Sequence, residues 1–286
     1  MFIAVTSPKK GLGQTVSSIN LAANITAITQ EKCLLIDFNH KYRDVARYLS
    51  ASAVNKGIDD FKNLYDIGLN NESDLFKKCT KRVHEKIDIM TANICSQIDR
   101  DDIERLVDLS KREYSFIIAD TTAGEGEMTK IILERADVIV VILSQDINIV
   151  KLSTANSKHS EQIRKNIYIV NKYIKEINRQ KVGMCFDKVQ RLLKQKGVKR
   201  ENVFKLDFDA SLLNECNESA LLNYTFCSSE ETVNSLQNRE IVEHILSSYA
   251  NYSFDKENNK RRNTKWDIRK FFAKREEKNR MCDLNE

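Results

Sequence analysis

The chain alternates between short runs that are apolar throughout and longer stretches whose apolar residues recur at helical spacing. The apolar runs cover 2–6, 33–37, 87–90, 116–120, 138–143, 167–170 and 203–206. Uniform apolarity, rather than apolar–polar alternation, suits strands of a parallel sheet covered on both faces. Helical patterns occupy 15–28, 101–112, 127–135, 147–164, 182–196 and 229–249. Strands alternating with helices predict an α/β fold: a mostly parallel, twisted sheet flanked by helices. Residues 250–264 (ANYSFDKENNKRRNT) are polar and unpatterned and read as a linker. Residues 265–280 have the length of one more helix, so the expected division is a main domain over 1–249, a linker over 250–264 and a tail over 265–286.

Composition narrows this picture. With 286 residues, 41% hydrophobic and 30% charged, the chain is globular in character. No apolar run reaches the roughly 18 residues that span a bilayer, and the N-terminus lacks a basic stretch leading into an apolar one. Seven scattered cysteines form no C-x-x-C pair. A cytoplasmic, reducing setting is the expectation, with the inner membrane surface as a further place of attachment. Cys33 opens an apolar run and reads as core. His40, His84, His159 and His244 are far apart in sequence, which gives the metal-site reading little support.

The net charge of +5 is unevenly placed. Residues 256–280 hold eleven Lys/Arg against four Asp/Glu, a net of +7; the last six residues carry −2, leaving the first 255 neutral. On a helix, Ile268, Phe271 and Phe272 fall within about 100° of one another, with Arg269, Lys270, Lys274 and Arg275 around them. Such a basic amphipathic tail fits an anionic membrane surface, a protein partner or DNA phosphates, or a solvated end with no partner.

The sharpest chemical feature is SPKKGLGQTVSSINLA at 7–22, between a strand and a helix. In that position glycines let the backbone approach phosphate, and loop N–H groups plus the helix N-terminus supply positive potential. Gly11 and Gly13 are those glycines, Leu12 lies between them, and Thr15 and Val16 open the helix. Thr15 stands where a hydroxyl meets Mg²⁺. The plain motif G-x-x-x-x-G-K-[ST] is broken twice, by Pro8 at its first glycine and by Gln14 at its lysine. A degenerate turn that binds nothing is the alternative.

The loop resembles the deviant Walker A sequence K-G-G-x-G-K-[ST] of the ParA/MinD ATPases, a group of SIMIBI-type P-loop NTPases. On that pattern Lys9 matches the signature lysine, Lys10 replaces a glycine, Gly11 and Gly13 match, Gln14 replaces the in-loop lysine, and Asn20-Leu21-Ala22 matches N-L-A. Further on, 34–39 (LLIDFN) resembles L-L-I-D-x-D, with Asp37 on the first aspartate and Asn39 on the second. Residues 114–124 (YSFIIADTTAG) resemble the Walker B segment, with Asp120 as its acid. The strand at 136–143 and IVNK at 169–172 match as well, and 57–92 follows the family's run of short helices into a strand. The likeness spans roughly residues 1–248.

This resemblance implies ATP and Mg²⁺ as ligands and a homodimer formed face to face. Lys9 would reach the partner's nucleotide. Lys10, Gly11, Leu12, Gly13, Gln14, Thr15 and Val16 would surround the phosphates; Thr15, Asp37 and Asp120 would hold Mg²⁺, partly through water; Asn171 would read the base. The segment 206–222, including Asp207 and Asp209, falls at the family's base-side loop, where a solvated loop is an equal reading. Lys9 and Asn39 are the catalytic candidates. Asn39 orients water but cannot take a proton, and Gln14 brings no charge to the phosphates, so slow or absent hydrolysis is expected. A loop that begins S-P and lacks its lysine resembles the TadZ/CpaE-type proteins, which place Tad pilus machinery. The function expected is therefore a positioning or scaffold switch for a pilus or secretion assembly. The alternatives are a weakly active DNA-partition ATPase and a nucleotide-free pseudo-ATPase working through protein contacts.

Overall fold

A computed structural model describes residues 1–39, 43–51, 57–68, 71–92, 98–124, 126–155, 166–177, 180–227 and 231–252. His40, His159 and the whole basic tail lie outside the described residues. Within the described residues no helix is long and apolar enough to cross a membrane.

Eight strands form one sheet in the order β10-β7-β6-β1-β5-β2-β4-β3. They are β1 (Phe2–Thr6), β2 (Cys33–Asp37), β3 (Lys81–His84), β4 (Ile87–Thr91), β5 (Phe116–Asp120), β6 (Val138–Leu143), β7 (Ile167–Tyr173) and β10 (Val203–Asp207). All pair in parallel except β3, which runs antiparallel to β4. The predicted mostly parallel α/β sheet is the observed one. Every residue of β1, β2, β4 and β5 is buried, because helices cover both faces, which is why these segments carry no alternation.

On one face, α1 (Gln14–Thr29) packs with α10 (Leu222–Phe226) and α11 (Val233–Tyr249) over Ile3, Val5, Leu35 and Ile118. Helix α1 is buried nearly all round, with Ile19, Leu21, Ala22, Ala23 and Ile25 joined by the polar Ser17, Ser18, Asn20 and Thr26. The opposite face carries α3 (Ile58–Asp66), α4 (Glu72–Cys79), α5 (Arg100–Glu113) and α6 (Glu127–Arg135) over Phe2, Ala4, Leu34 and Ile117. Further along that face, α7 (Ile147–Ala155) and α8 (Phe186–Lys194) cover Val141, Leu143, Tyr168 and Val170. The short helix α2 (Asp44–Tyr48) follows β2, and α9 (Ala210–Asn217) follows β10.

Three elements depart from the sequence pattern. The edge strand β3 reads KRVH and is only partly buried, so it offers no apolar run. A small hairpin of β8 (Glu176–Ile177) and β9 (Gln180–Lys181) delays the helix expected from 182, which begins at Phe186. The 147–164 pattern is helical through Ala155, and its remainder lies outside the described residues. Cys33 is wholly buried in β2, and burial pushes its thiol up to about 12, so it is core as expected. His84 stacks on Phe226 with ring centroids 4.1 Å apart, and His244 Nε2 lies 3.0 Å from Asn202 Oδ1. Both histidines serve packing. No group of three or more His, Cys, Asp or Glu arranged for a metal occurs among the described residues.

Candidate nucleotide and metal site

Strand β1 is flanked by β5 and β6, so the chain leaves it to build one side of the sheet and later the other. In open α/β sheets ligands bind outside the carboxyl ends of strands at such a reversal. Residues 7–13 lie there, leading from β1 into α1. Gly11 and Gly13 have φ of 84° and 88°, a left-handed backbone that glycine adopts without strain. Gly13 is also the N-cap of α1, contributes no capping side chain, and is followed by no acid in the first turn. The first N–H groups of a buried 16-residue helix are thus left to a ligand or water.

Asp37 and Asp120 end β2 and β5 as direct register partners, so their side chains share one face of the sheet. Both are fully buried. Asp37 accepts the backbone N–H of Asn39 at 2.8 Å and of Val45 at 3.1 Å. Asp120 accepts the Thr15 hydroxyl at 2.7 Å, the Ser18 hydroxyl at 3.0 Å and the Gln14 amide at 2.9 Å. Burial pushes both carboxyls above their ordinary range; the nearby charge of Asp120 raises Asp37 further, while the hydrogen bonds pull each partly back. Two adjoining buried carboxylates beside a threonine hydroxyl fit a divalent cation of the Mg²⁺ type, which takes one or two carboxylates plus phosphate and water.

The loop opens into a cavity of about 450 Å³, within the range of small-ligand sites; Thr15 lines it, while Asp37 and Asp120 are fully buried behind that wall rather than lining it. Lys10, Gly11, Gly13, Gln14, Thr15, Val16 and Asn39 all line it, as does Asn171. Lys9 is exposed at the loop's rim, and Leu12 packs on the cores of both sheet faces. Asn171 Nδ2 donates to the Leu12 carbonyl at 2.9 Å. A Cβ on Gly13 would come within 2.2 Å of that nitrogen, so Gly13 is needed for the close approach as well as for its backbone. Asn171 thus braces the phosphate loop, a contact that the sequence does not show.

The far wall comes from the sheet edge. Asp207, Phe208, Asp209, Leu212 and Asn234 line it. Asp209 caps α9 through Ser211 and Leu212 N–H. Tyr224 Oη donates to Asp209 Oδ2 at 2.9 Å and lies 2.8 Å from Thr232 Oγ1 and 3.2 Å from Asn234 Oδ1. The Asp207–Asp209 segment is therefore a fastened wall rather than a free loop. From the other side, Tyr48 of α2 accepts Leu221 N–H on its carbonyl, and Ser50 Oγ donates to the Ser219 carbonyl, tying the segment after β2 to the turn between α9 and α10.

Ser7, Ser18, Tyr48, Tyr224 and Asn234 are site residues that motif reading misses. Only Ser7 left a local signal, since it opens the loop immediately before Pro8.

No protein-family model and no curated protein sequence matches the chain. Solved structures share its fold. A ParA family ATPase from Chlorobium tepidum is 15% identical, with 85% of this chain and 98% of that one aligned at a TM-score of 0.67. A chain of the MinC:MinD cell division protein complex of Aquifex aeolicus is 17% identical over 89% and 97% of the two chains, TM-score 0.68. The septum site-determining protein MinD of Pyrococcus horikoshii, complexed with Mg-ADP, is 16% identical over 86% and 97%, TM-score 0.66. The protein has the fold of the ParA/MinD ATPases.

Proposed function

We propose that the protein is a ParA/MinD-like, nucleotide-binding positioning switch that takes ATP with Mg²⁺ and turns it over slowly or not at all. The observation that carries this reading is that Thr15, beside an uncapped helix N-terminus, lines one end of a 450 Å³ cavity and joins it to the buried pair Asp37 and Asp120 directly behind. In this reading the loop N–H groups and α1 hold phosphate, and Thr15 with the two aspartates holds the Mg²⁺ shell. Asn171 braces the loop from the base side. When bound, Mg²⁺ would neutralise phosphate charge that the neutral side chain at position 14 does not meet.

Slow turnover follows from two neutral side chains. Gln14 carries no charge, and Asn39 has no carboxylate to position or deprotonate water. Lys9, exposed at the rim, would serve a second copy in a face-to-face homodimer. The cargo proposed is a Tad-type pilus or secretion assembly, on the strength of the S-P opening and the missing lysine. Residues 250–264 would act as a linker and 265–286 as a basic tail, meeting a protein partner or the membrane surface, with DNA as the alternative.

Calorimetry of Mg²⁺-ATP binding tests the site. Micromolar affinity that falls about ten- to a hundredfold in Thr15→Ala supports it. Absence of heat at millimolar ATP from folded protein would sink it. That second result would favour a nucleotide-free interaction protein, a reading to which one observation lends weight: the Gln14 amide is fully engaged inside the protein.

A further inference from the structure

Gln14 does more than leave a charge out. Although Gln14 lines the cavity, the polar end of its side chain is spent on bonds to the protein beneath the phosphate loop. Gln14 Oε1 accepts the Ser7 hydroxyl at 2.8 Å. Gln14 Nε2 faces the Asp120 carboxylate at 2.9 Å, the Thr121 carbonyl at 2.5 Å and the Val5 carbonyl at 3.1 Å. Ser7 also reaches the Lys9 carbonyl through its hydroxyl at 3.0 Å and accepts the Gly124 N–H on its own carbonyl at 3.0 Å. Ser7 is 1% and Gln14 8% exposed. Two neutral side chains therefore sew together the two ends of the loop at 7–14 and fasten it to the strand-end segment at 120–124, with every polar atom of the glutamine satisfied.

A loop lysine in this position reaches the β- and γ-phosphates. It favours the ligand with more charge, and its own charge must be compensated when no ligand is present. The glutamine needs no such compensation and offers nothing to a terminal phosphate. We propose that the Ser7–Gln14 pair holds the phosphate loop in its ligand-ready shape without any ligand, and that the pocket consequently takes nucleoside diphosphate and triphosphate with similar affinity. This rests on the nucleotide-binding reading above and makes Gln14 its specificity-determining residue.

Two measurements on the full chain separate the parts. The first uses no nucleotide: amide hydrogen exchange at Gly124 and Thr121, whose N–H groups bond to Ser7 and Val5. Gln14→Ala is expected to speed exchange there at least tenfold, and Ser7→Ala to speed it less. Amides in the middle of α11 should be unchanged in both variants, which certifies the fold. Unaltered exchange at Gly124 in both folded variants would overturn the loop-holding role.

The second compares Mg²⁺-ADP and Mg²⁺-ATP by calorimetry. The wild-type affinities are expected within about threefold of each other, and Gln14→Lys should shift the ratio toward ATP by about tenfold or more. A wild-type preference for ATP of tenfold or more, or no shift in Gln14→Lys, would overturn the specificity claim. If neither nucleotide binds, the functional reading itself falls and the specificity claim with it, while the exchange result still decides the loop-holding role.

Discussion

The two ends of the cavity are built by different means. The end at the glycine-bearing loop, proposed above to take phosphate and metal, stands on the middle of the sheet, where β1, β5 and β2 lie side by side and each residue is buried. Its strands are fixed by ladders and its two aspartates are set opposite each other by strand pairing, with side-chain bonds from Gln14, Thr15 and Ser18 to Asp120 added on top. The far end stands on the sheet edge at β7 and β10, where β10 is only partly buried. There the wall is held by side chains: Tyr224, Asp209, Thr232 and Asn234 in one network, with Asn234 Nδ2 donating to the Asp207 carbonyl. Phe208 remains 51% exposed beside it. A site carried by ladders resists single changes on its periphery, whereas one carried by a polar network depends on each member.

Substitutions on the two ends sharpen this contrast. The largest effect is expected for Gly13→Ala, which touches both. A left-handed φ costs an alanine about 1–2 kcal/mol, and displacing Asn171 loses a hydrogen bond worth about 0.5–1.5 kcal/mol. Thermal unfolding should show a loss of roughly 2–3 kcal/mol, accompanied by loss of nucleotide binding. An unchanged melting temperature would contradict the close approach of Asn171. Tyr224→Phe comes next: leaving the Asp209 carboxylate and Asn234 without this donor should cost about 1–3 kcal/mol. Nucleotide affinity should weaken several-fold while its Mg²⁺ dependence persists. If Mg²⁺ dependence is lost instead, the two ends are not separate.

The aspartate pair gives a pH signature confined to the metal end. Both carboxyls are raised in the folded protein by burial, so the folded state binds more protons than the unfolded one above the ordinary carboxyl range. Without metal, stability should therefore fall as pH rises from about 4 through the raised values. Asp37→Asn should flatten that slope in melts across the same range. Added Mg²⁺ should stabilise more at high pH, where both groups are ionised; a pH-independent Mg²⁺ effect would tell against these ligands. The smallest effect is expected for Lys9→Ala, an exposed rim residue. Stability should be unchanged within about 0.5 kcal/mol. Light scattering with Mg²⁺-ATP should show the monomer where the wild type shows a dimer, and a persistent dimer would remove Lys9 from that role.

Much of the central sheet was legible in the sequence. CLLID, FIIAD and VIVVIL are strands because runs apolar at every position bury both faces only in a covered parallel sheet, and the glycine-bearing loop follows the first of the chain's strands. The edge was harder to read. Lys81–His84 pairs with β4 through its backbone while its side chains stay half in solvent. Residues 210–217 form a helix with no fully buried residue, resting on the core through Leu212 and Cys216 and capped by Asp209. Neither has a hydrophobic period to detect. Asp207 and Asp209 gave no signal beyond a loose resemblance, since their significance comes from Tyr224 and Asn234 further along the chain.

By itself the sequence determined the α/β class and the glycine-bearing loop between β1 and α1, and it singled out Thr15, Asp37 and Asp120, which the fold brings together, because each follows from local pattern or motif. What Gln14 does was decided only in three dimensions. Its type says that a charge is missing; its bonds to Ser7, 7 residues away, and to Asp120, 106 residues away, say what takes its place. Asn171 likewise reaches Leu12 across 159 residues. The direction of a polar side chain is set by which acceptors the folded backbone brings within about 3 Å, and that proximity exists only once the sheet has assembled.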